Sequence, residues 1–187
     1  MNFAGAFRFI VAALISLYIF VFVIRFLMQW SKADFRNQLA QAIVQISNPL
    51  VKPLRKFIPG WGGLDIATLV VIYVLEVIAI ILLVSIDTGF SAPLALGVKT
   101  LSYAALRMFH AFINVSIFLI FVRIILSWIS PGNYNPIISV IYSITEPMMA
   151  PFRRLLPPLG GLDISPIILL LGLSALKVLL PLPGFIA

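Results

Sequence analysis

The sequence predicts an all-α membrane protein: four transmembrane helices arranged as two parallel tandem repeats, each with an amphipathic interfacial or re-entrant helix in its loop. Three observations predict it. Hydrophobic residues make up 62% of the 187-residue chain and charged residues only 10%, against roughly 45–50% and about 25% in soluble domains. Apolar runs of about 20 residues, enough to cross about 30 Å of hydrocarbon, recur along the chain. The chain also repeats itself at a fixed offset.

Each element follows in turn. The first span runs from about Phe7 to Met28. Its apolar run continues past Arg25 and exceeds the roughly 7–15 residues of a signal-peptide core, so it reads as a retained span. Residues 37–48 place Leu39, Ala42, Ile43 and Ile46 on one helical face and Gln38, Gln41 and Gln45 on the other. That segment is too short and too polar to cross, and an amphipathic helix lying in the interface fits it. The second span, Ile66–Ile86, contains one charge, Glu76. A Gly- and Pro-bearing linker over 89–103 joins it to the third span, about Leu106–Ile129, which contains His110 and Arg123. A second amphipathic segment over 136–146 follows, with Ile137, Ile141 and Ile144 on one face. The fourth span, about Ile164–Leu182, carries Lys177 and breaks at Pro181 and Pro183. Residues 1–88 thus form the first repeat and 104–187 the second.

Shifting the sequence by 98 positions matches it to itself without a gap. Arg25 falls on Arg123, Trp30 on Trp128, and Pro49, Pro53 and Pro59 on Pro147, Pro151 and Pro157. Arg55-Lys56 falls on Arg153-Arg154, and Gly62-Gly63-Leu64-Asp65-Ile66 on Gly160-Gly161-Leu162-Asp163-Ile164. A bias toward Leu and Ile does not align Arg, Trp, Pro, Gly and Asp, so this is an internal repeat. Each unit crosses twice, which makes the repeats parallel and places both loops on one side.

At these residues the chain resembles the YggT family (YggT/YlmG-like multi-pass membrane proteins), with each half one family unit. The second unit carries the pattern most fully, from Glu146-Pro147 through Pro151, Arg153-Arg154 and Pro157 to Asp163-Ile164-Ser165-Pro166. The first departs from it, with Asn48 before Pro49 and Ala67-Thr68 in place of Ser-Pro. The resemblance implies a multi-pass protein of the bacterial inner membrane without assigned catalytic activity. It also implies a link to osmotic stress tolerance and ion uptake, to cell division or, in plastids, to assembly of membrane complexes including haem attachment.

The charge balance is +7, from 13 Lys and Arg against 6 Asp and Glu. In a membrane chain this orients the spans and attracts anionic lipid, and nucleic acid is not an expected partner. The two motif loops hold Lys32, Arg36, Lys52, Arg55, Lys56, Arg153 and Arg154, whereas Arg8, Lys99 and Arg107 fall on the other side. The positive-inside rule then predicts cytoplasmic motif loops and external termini. With no cysteine, thiolate metal sites, disulfides and cysteine nucleophiles are excluded. No phosphate loop, metal-ligand cluster or Ser/His/Asp arrangement is visible, so the expectation is no cofactor, no metal and no catalytic centre.

The candidate residues each have more than one reading. Asp65 and Asp163 read as N-caps of the second and fourth spans, with an ion or partner contact as the alternative. Arg25 and Arg123 lie about 7 Å deeper than their tryptophans, and either snorkel to headgroups or pair with an Asp of one of the units. Arg55-Lys56 and Arg153-Arg154 lie between prolines, which predicts extended chain presenting cations to anionic lipid or a partner. Glu76 falls near the bilayer midplane, where an unpaired carboxylate costs several kcal/mol, so a pairing with Lys177 is expected if the second and fourth spans face each other. Lone His110 reads as an interface histidine. The functional expectation is a non-enzymatic scaffold or assembly factor for other membrane proteins, in a homo-oligomer or a larger complex. The alternative is an ion-permeation or osmotic-tolerance component with Glu76 in the path.

Overall fold

The computed structural model describes residues 3–89, 96–129, 135–155, 163–184 and 186. Among them the regular structure is helical, in six elements: α1 (Phe3–Trp30), α2 (Gln38–Leu54), α3 (Ile66–Thr88), α4 (Lys99–Ile129), α5 (Pro136–Leu155) and α6 (Ser165–Leu179). Three of these, α1, α3 and α4, are long and apolar enough to cross a membrane.

The fourth expected span is shorter than its sequence suggested. Helix α6 has 15 residues, roughly 22 Å at 1.5 Å per residue. Leu180, at φ −120° and ψ 67°, has already left helical geometry. It precedes Pro181, whose ring disfavours the helical region for the residue before it. Beyond it the chain folds back, and Ile186 is buried with Ile80, Val84 and Ala104. Helix α4 differs in the other direction, beginning at Lys99 rather than near Leu106.

The amphipathic helices also exceed expectation. Helix α2 runs through Pro49 and Pro53, and α5 through Pro147 and Pro151, so Arg153 and Arg154 sit in the last turn of a helix rather than on extended chain. The buried positions of α2 are Ala40, Ile43, Ser47 and Val51, one helical stripe continuing past Pro49. All four prolines lie on the exposed side. Packing of the inner stripe outweighs the loss of hydrogen bonds on the outer one, where freed carbonyls face away from the core.

Between α2 and α3 the Gly-Gly pair makes a tight reversal. Trp61 and Leu64 exchange backbone hydrogen bonds around Gly62 and Gly63, whose φ angles are 59° and 82°. Two consecutive left-handed positions are what a two-residue turn of this kind requires and what glycine supplies without strain. The turn delivers Asp65 to the start of α3. The equivalent Gly160–Leu162, with Pro157, lies outside the described residues.

Helix α1 packs on α3, and α4 on α6; across the halves α4 packs on α3 and α1, and α2 meets α5. The largest apolar cluster includes Phe22, Val23, Val51, Ile72, Leu119 and Ile144, drawn from α1 to α5. Helix α6 packs only on α4 and α5 among the described helices. The second and fourth apolar helices therefore do not face each other, contrary to expectation.

Candidate functional site

The repeated arginines are buried, not snorkelled. Arg25 is 4% exposed and Arg123 5%. Each turns from its apolar helix onto the amphipathic helix of its own unit. The Arg25 Nη1 donates to Ser47 Oγ at 2.6 Å and Asn48 Oδ1 at 3.0 Å. The Arg123 Nη1 donates to Thr145 Oγ1 at 2.8 Å, and its Nη2 to Glu146 Oε2 at 2.7 Å. Ser47 and Thr145 are repeat mates, as are Asn48 and Glu146. The Arg123 guanidinium also lies 4.3 Å from the centre of the Tyr142 ring, within cation–π range.

A second arginine closes each network. Arg55, just beyond α2, ion-pairs with Asp65. Arg153 ion-pairs with Asp163 at 2.7 Å and with Glu146 at 2.8 Å. Asp65 is 2% exposed and is the N-cap of α3, where its carboxylate takes the Thr68 N–H and hydroxyl hydrogen bonds. Arg25 Nε stands 3.9 Å from the same carboxylate, so the expected Arg–Asp contact forms within the first unit. In the second unit Arg123 pairs with Glu146 rather than with Asp163. Asp163 accepts from the Ser165 N–H at 3.0 Å, while the N-cap position of α6 is Ile164 without a side-chain cap. Pro166 in the first turn of α6 has no N–H and so leaves no donor there in want of an acceptor.

These contacts set the charge states. Burial opposes the Asp65 carboxylate, but hydrogen bonds from Arg55 and Thr68 outweigh it and hold the group below the ordinary aspartate range. Burial likewise opposes Glu146 and Asp163. Arg123 and Arg153 outweigh it for Glu146, and Arg153 and Ser165 for Asp163, leaving both below their ordinary values. Lys56 and Arg154 are exposed beside these networks and form no ion pair among the described residues. Trp30 and Trp128 are also exposed, 42% and 76%, as interfacial anchors are.

A different pair occupies the interior of the apolar bundle. Glu76, on α3, accepts from Arg107 Nε of α4 at 2.7 Å, and both side chains are largely buried. The pairing expected with Lys177 does not form, because α6 does not pack on α3. Arg107 also donates to the backbone carbonyl of Ile186. His110, one turn along α4, is 7% exposed, and its Nε2 lies 2.6 Å from the Leu180 carbonyl. It is thus a buried clasp on the returning segment rather than an interface histidine. These groups line a cavity of about 410 Å³ with Ser16 and Asn114. Among the described residues no cluster of three or more His, Asp or Glu is placed to hold a metal.

Sequence reasoning missed Arg107, assigning it to the external side because the third span was started seven residues late. It also missed Ser47, Thr145 and Glu146 as partners. The available signal was the equal spacing of Arg25–Ser47 and Arg123–Thr145, 22 residues in each unit.

The CCB3/YggT family model matches residues 4–86 and again 102–183. The chain is 38% identical over 176 residues to the uncharacterized protein PA0392 of Pseudomonas aeruginosa, covering 91% of this chain and 86% of the relative. It is 36% identical over 171 residues to the uncharacterized protein YggT of Escherichia coli (strain K12), with 91% and 86% covered. A plastid protein, YlmG homolog protein 2 of Arabidopsis thaliana, is 38% identical over 64 residues, 34% of this chain and 25% of that protein. No solved structure matches. The names of these relatives state no enzymatic activity. With both halves matched and its apolar helices fit for a bilayer, the chain is a membrane protein of the CCB3/YggT family, carrying two family units in tandem.

Proposed function

We propose that the protein is a non-enzymatic scaffold or assembly factor of the cytoplasmic membrane, presenting a cationic platform to other membrane proteins and to anionic lipid. One observation carries this reading. The repeated polar residues of both units bond to one another and fasten the amphipathic helices to the bundle, leaving Lys56 and Arg154 exposed. Mutually bonded arginines and carboxylates, with Arg25, Arg123 and Asp65 buried, suit the framing of a surface rather than the lining of a path. In this reading α6 and its returning segment complete a fourth crossing, and the platform faces the cytoplasm, as the excess of Lys and Arg in the motif loops favours.

Photocrosslinkers at residues 56 and 154, with one at residue 99 as the opposite-end control, test it in native membranes. Positions 56 and 154 are expected to give the same discrete adducts with integral membrane proteins, and position 99 to lack them. The alternative, ion permeation, rests on the Glu76–Arg107 pair within the apolar helices. Ion flux through the purified protein in liposomes, abolished by Glu76→Gln, would replace the scaffold reading.

A further inference from the structure

The cavity around Glu76 and Arg107 has a chemistry that the platform does not use. It lies between α1, α3 and α4, with Leu182 at its edge, and apart from Arg107 its polar lining is mid-helix. Ser16 is the fourteenth of 28 residues in α1, Glu76 the eleventh of 23 in α3 and Asn114 the sixteenth of 31 in α4. Ser16, Asn114 and Phe118 are exposed on the flank of the bundle. The cavity therefore opens sideways, toward hydrocarbon, rather than toward either aqueous face.

Uncommitted hydrogen-bonding groups converge there. The carboxylate of Glu76 is matched by Arg107, so the site carries no net charge. Arg107 uses Nε on Glu76 and Nη1 on the Ile186 carbonyl, leaving Nη2 without a hydrogen bond among the described residues. The Asn114 amide and the Ser16 hydroxyl likewise make no side-chain hydrogen bond among the described residues, although they face the apolar medium. Polar groups at bilayer depth ordinarily find partners, because hydrocarbon offers none. Phe20 and Phe118, edge to face at 5.4 Å, supply apolar wall beside them.

We propose that this pocket binds an apolar-tailed molecule whose small, uncharged head carries carbonyl oxygens, the chemistry of a membrane quinone. Three features select that class. The open donors at Arg107 Nη2 and the Asn114 amide ask for acceptors. The neutral Glu76–Arg107 pair disfavours a charged head. The mid-bilayer depth disfavours a phospholipid, whose ester carbonyls are tethered near the headgroups, and suits a head that moves freely in the hydrocarbon. A volume of about 410 Å³ accommodates a substituted six-membered ring with the start of its tail. Asn114 and Arg107 Nη2 are assigned the carbonyl contacts. Binding requires no electron transfer, and the site stands or falls separately from the cationic platform.

The test uses the full chain in phosphatidylcholine nanodiscs with a photoreactive azido-quinone as the probe and decylubiquinone as competitor. Labelling is expected on the segments of α1 and α4 around Ser16 and Asn114, and excess decylubiquinone is expected to remove it. Asn114→Leu is expected to weaken labelling about fivefold, the loss of one neutral hydrogen bond. Since Asn114 is exposed, the melting temperature of that variant should stay unchanged. Ser16→Ala should weaken labelling less. Labelling elsewhere, labelling indifferent to Asn114→Leu, or phospholipid retained at the pocket and not displaced by decylubiquinone would each overturn the proposal. So would an Asn114→Leu effect that proves to be dissociation of an oligomer, with quinone labelling intact in the monomer.

Discussion

The two halves solve one structural problem with different charge inventories. In the first, Arg25 and Arg55 converge on one deeply buried carboxylate, Asp65, while Asn48 supplies only a neutral acceptor. In the second, Glu146 stands where Asn48 does and bridges Arg123 and Arg153, while Asp163 is more open, its side chain 41% exposed. Two cations share one anion in the first network, and the second is balanced two against two. The first half thus concentrates its electrostatics on a single residue that also caps α3. The second spreads them over two partly solvated carboxylates. The same fastening of an amphipathic helix to an apolar hairpin is brittle in one unit and distributed in the other.

The sharpest way to break this contrast is at the paired aspartates. Asp65→Asn leaves two buried or half-buried arginines facing each other without an anion, and should cost about 3–5 kcal/mol, the range for an uncompensated buried charge. Asp163→Asn removes one of two solvated partners and should cost about 1 kcal/mol or less. Thermal unfolding in detergent followed by circular dichroism measures both, and equal losses would dissolve the distinction. Glu76→Gln comes next, at about 3 kcal/mol, because it strands Arg107 between packed helices. Glu146→Asn, which gives the second unit the first unit's residue, should cost about 1 kcal/mol. The reverse exchange, Asn48→Glu, should slightly raise the melting temperature by giving Arg25 an anion of its own.

The smallest expected effect is on pH dependence. Asp65, Glu146 and Asp163 are all held below their ordinary pKa values in the folded protein. Each therefore contributes stability that is full above the unfolded value, near 4.5 for Glu and 3.8 for Asp. That contribution is lost as pH falls through the lowered folded value. Melting temperature should accordingly decline with acid below about pH 4.5. Asp65→Asn and Asp163→Asn should each flatten the decline, since each removes a carboxylate whose folded value is lowered.

Much of the fold could be read in advance because a duplication reports on itself. Residues that both halves retain, such as Arg25 with Arg123 and Asp65 with Asp163, stand out against an apolar background, and apolar length gives the three long helices α1, α3 and α4. What the halves do not share is invisible to that comparison. The repeat mate of Glu76 is Ser174 and that of Arg107 is Phe9, so no offset search could bring the two together. The pairing with Lys177 failed for the same reason, since symmetry suggested a facing of helices that the packing does not adopt. The prolines of α2 and α5 misled in another way. Their local preference for extended chain is real, but the inner stripe of Ala40, Ile43, Ser47 and Val51 binds the helix across them. Helix α6 ends early because Pro181 acts through the residue before it, a boundary effect that hydropathy does not register.

That Glu76 finds its counter-ion in the other half has a consequence for biosynthesis. The carboxylate is polymerised 31 residues ahead of Arg107, a lag of roughly 2–6 s at ordinary translation rates. For that interval the nascent first hairpin holds an acid with no cation beside it, and it must stay protonated or remain in the shelter of the insertion machinery. Arrival of α4 ends the wait. A chain stopped before residue 99 should therefore integrate poorly and be cleared by membrane proteases, and Glu76→Leu in that truncated chain should restore its persistence in pulse-chase measurements.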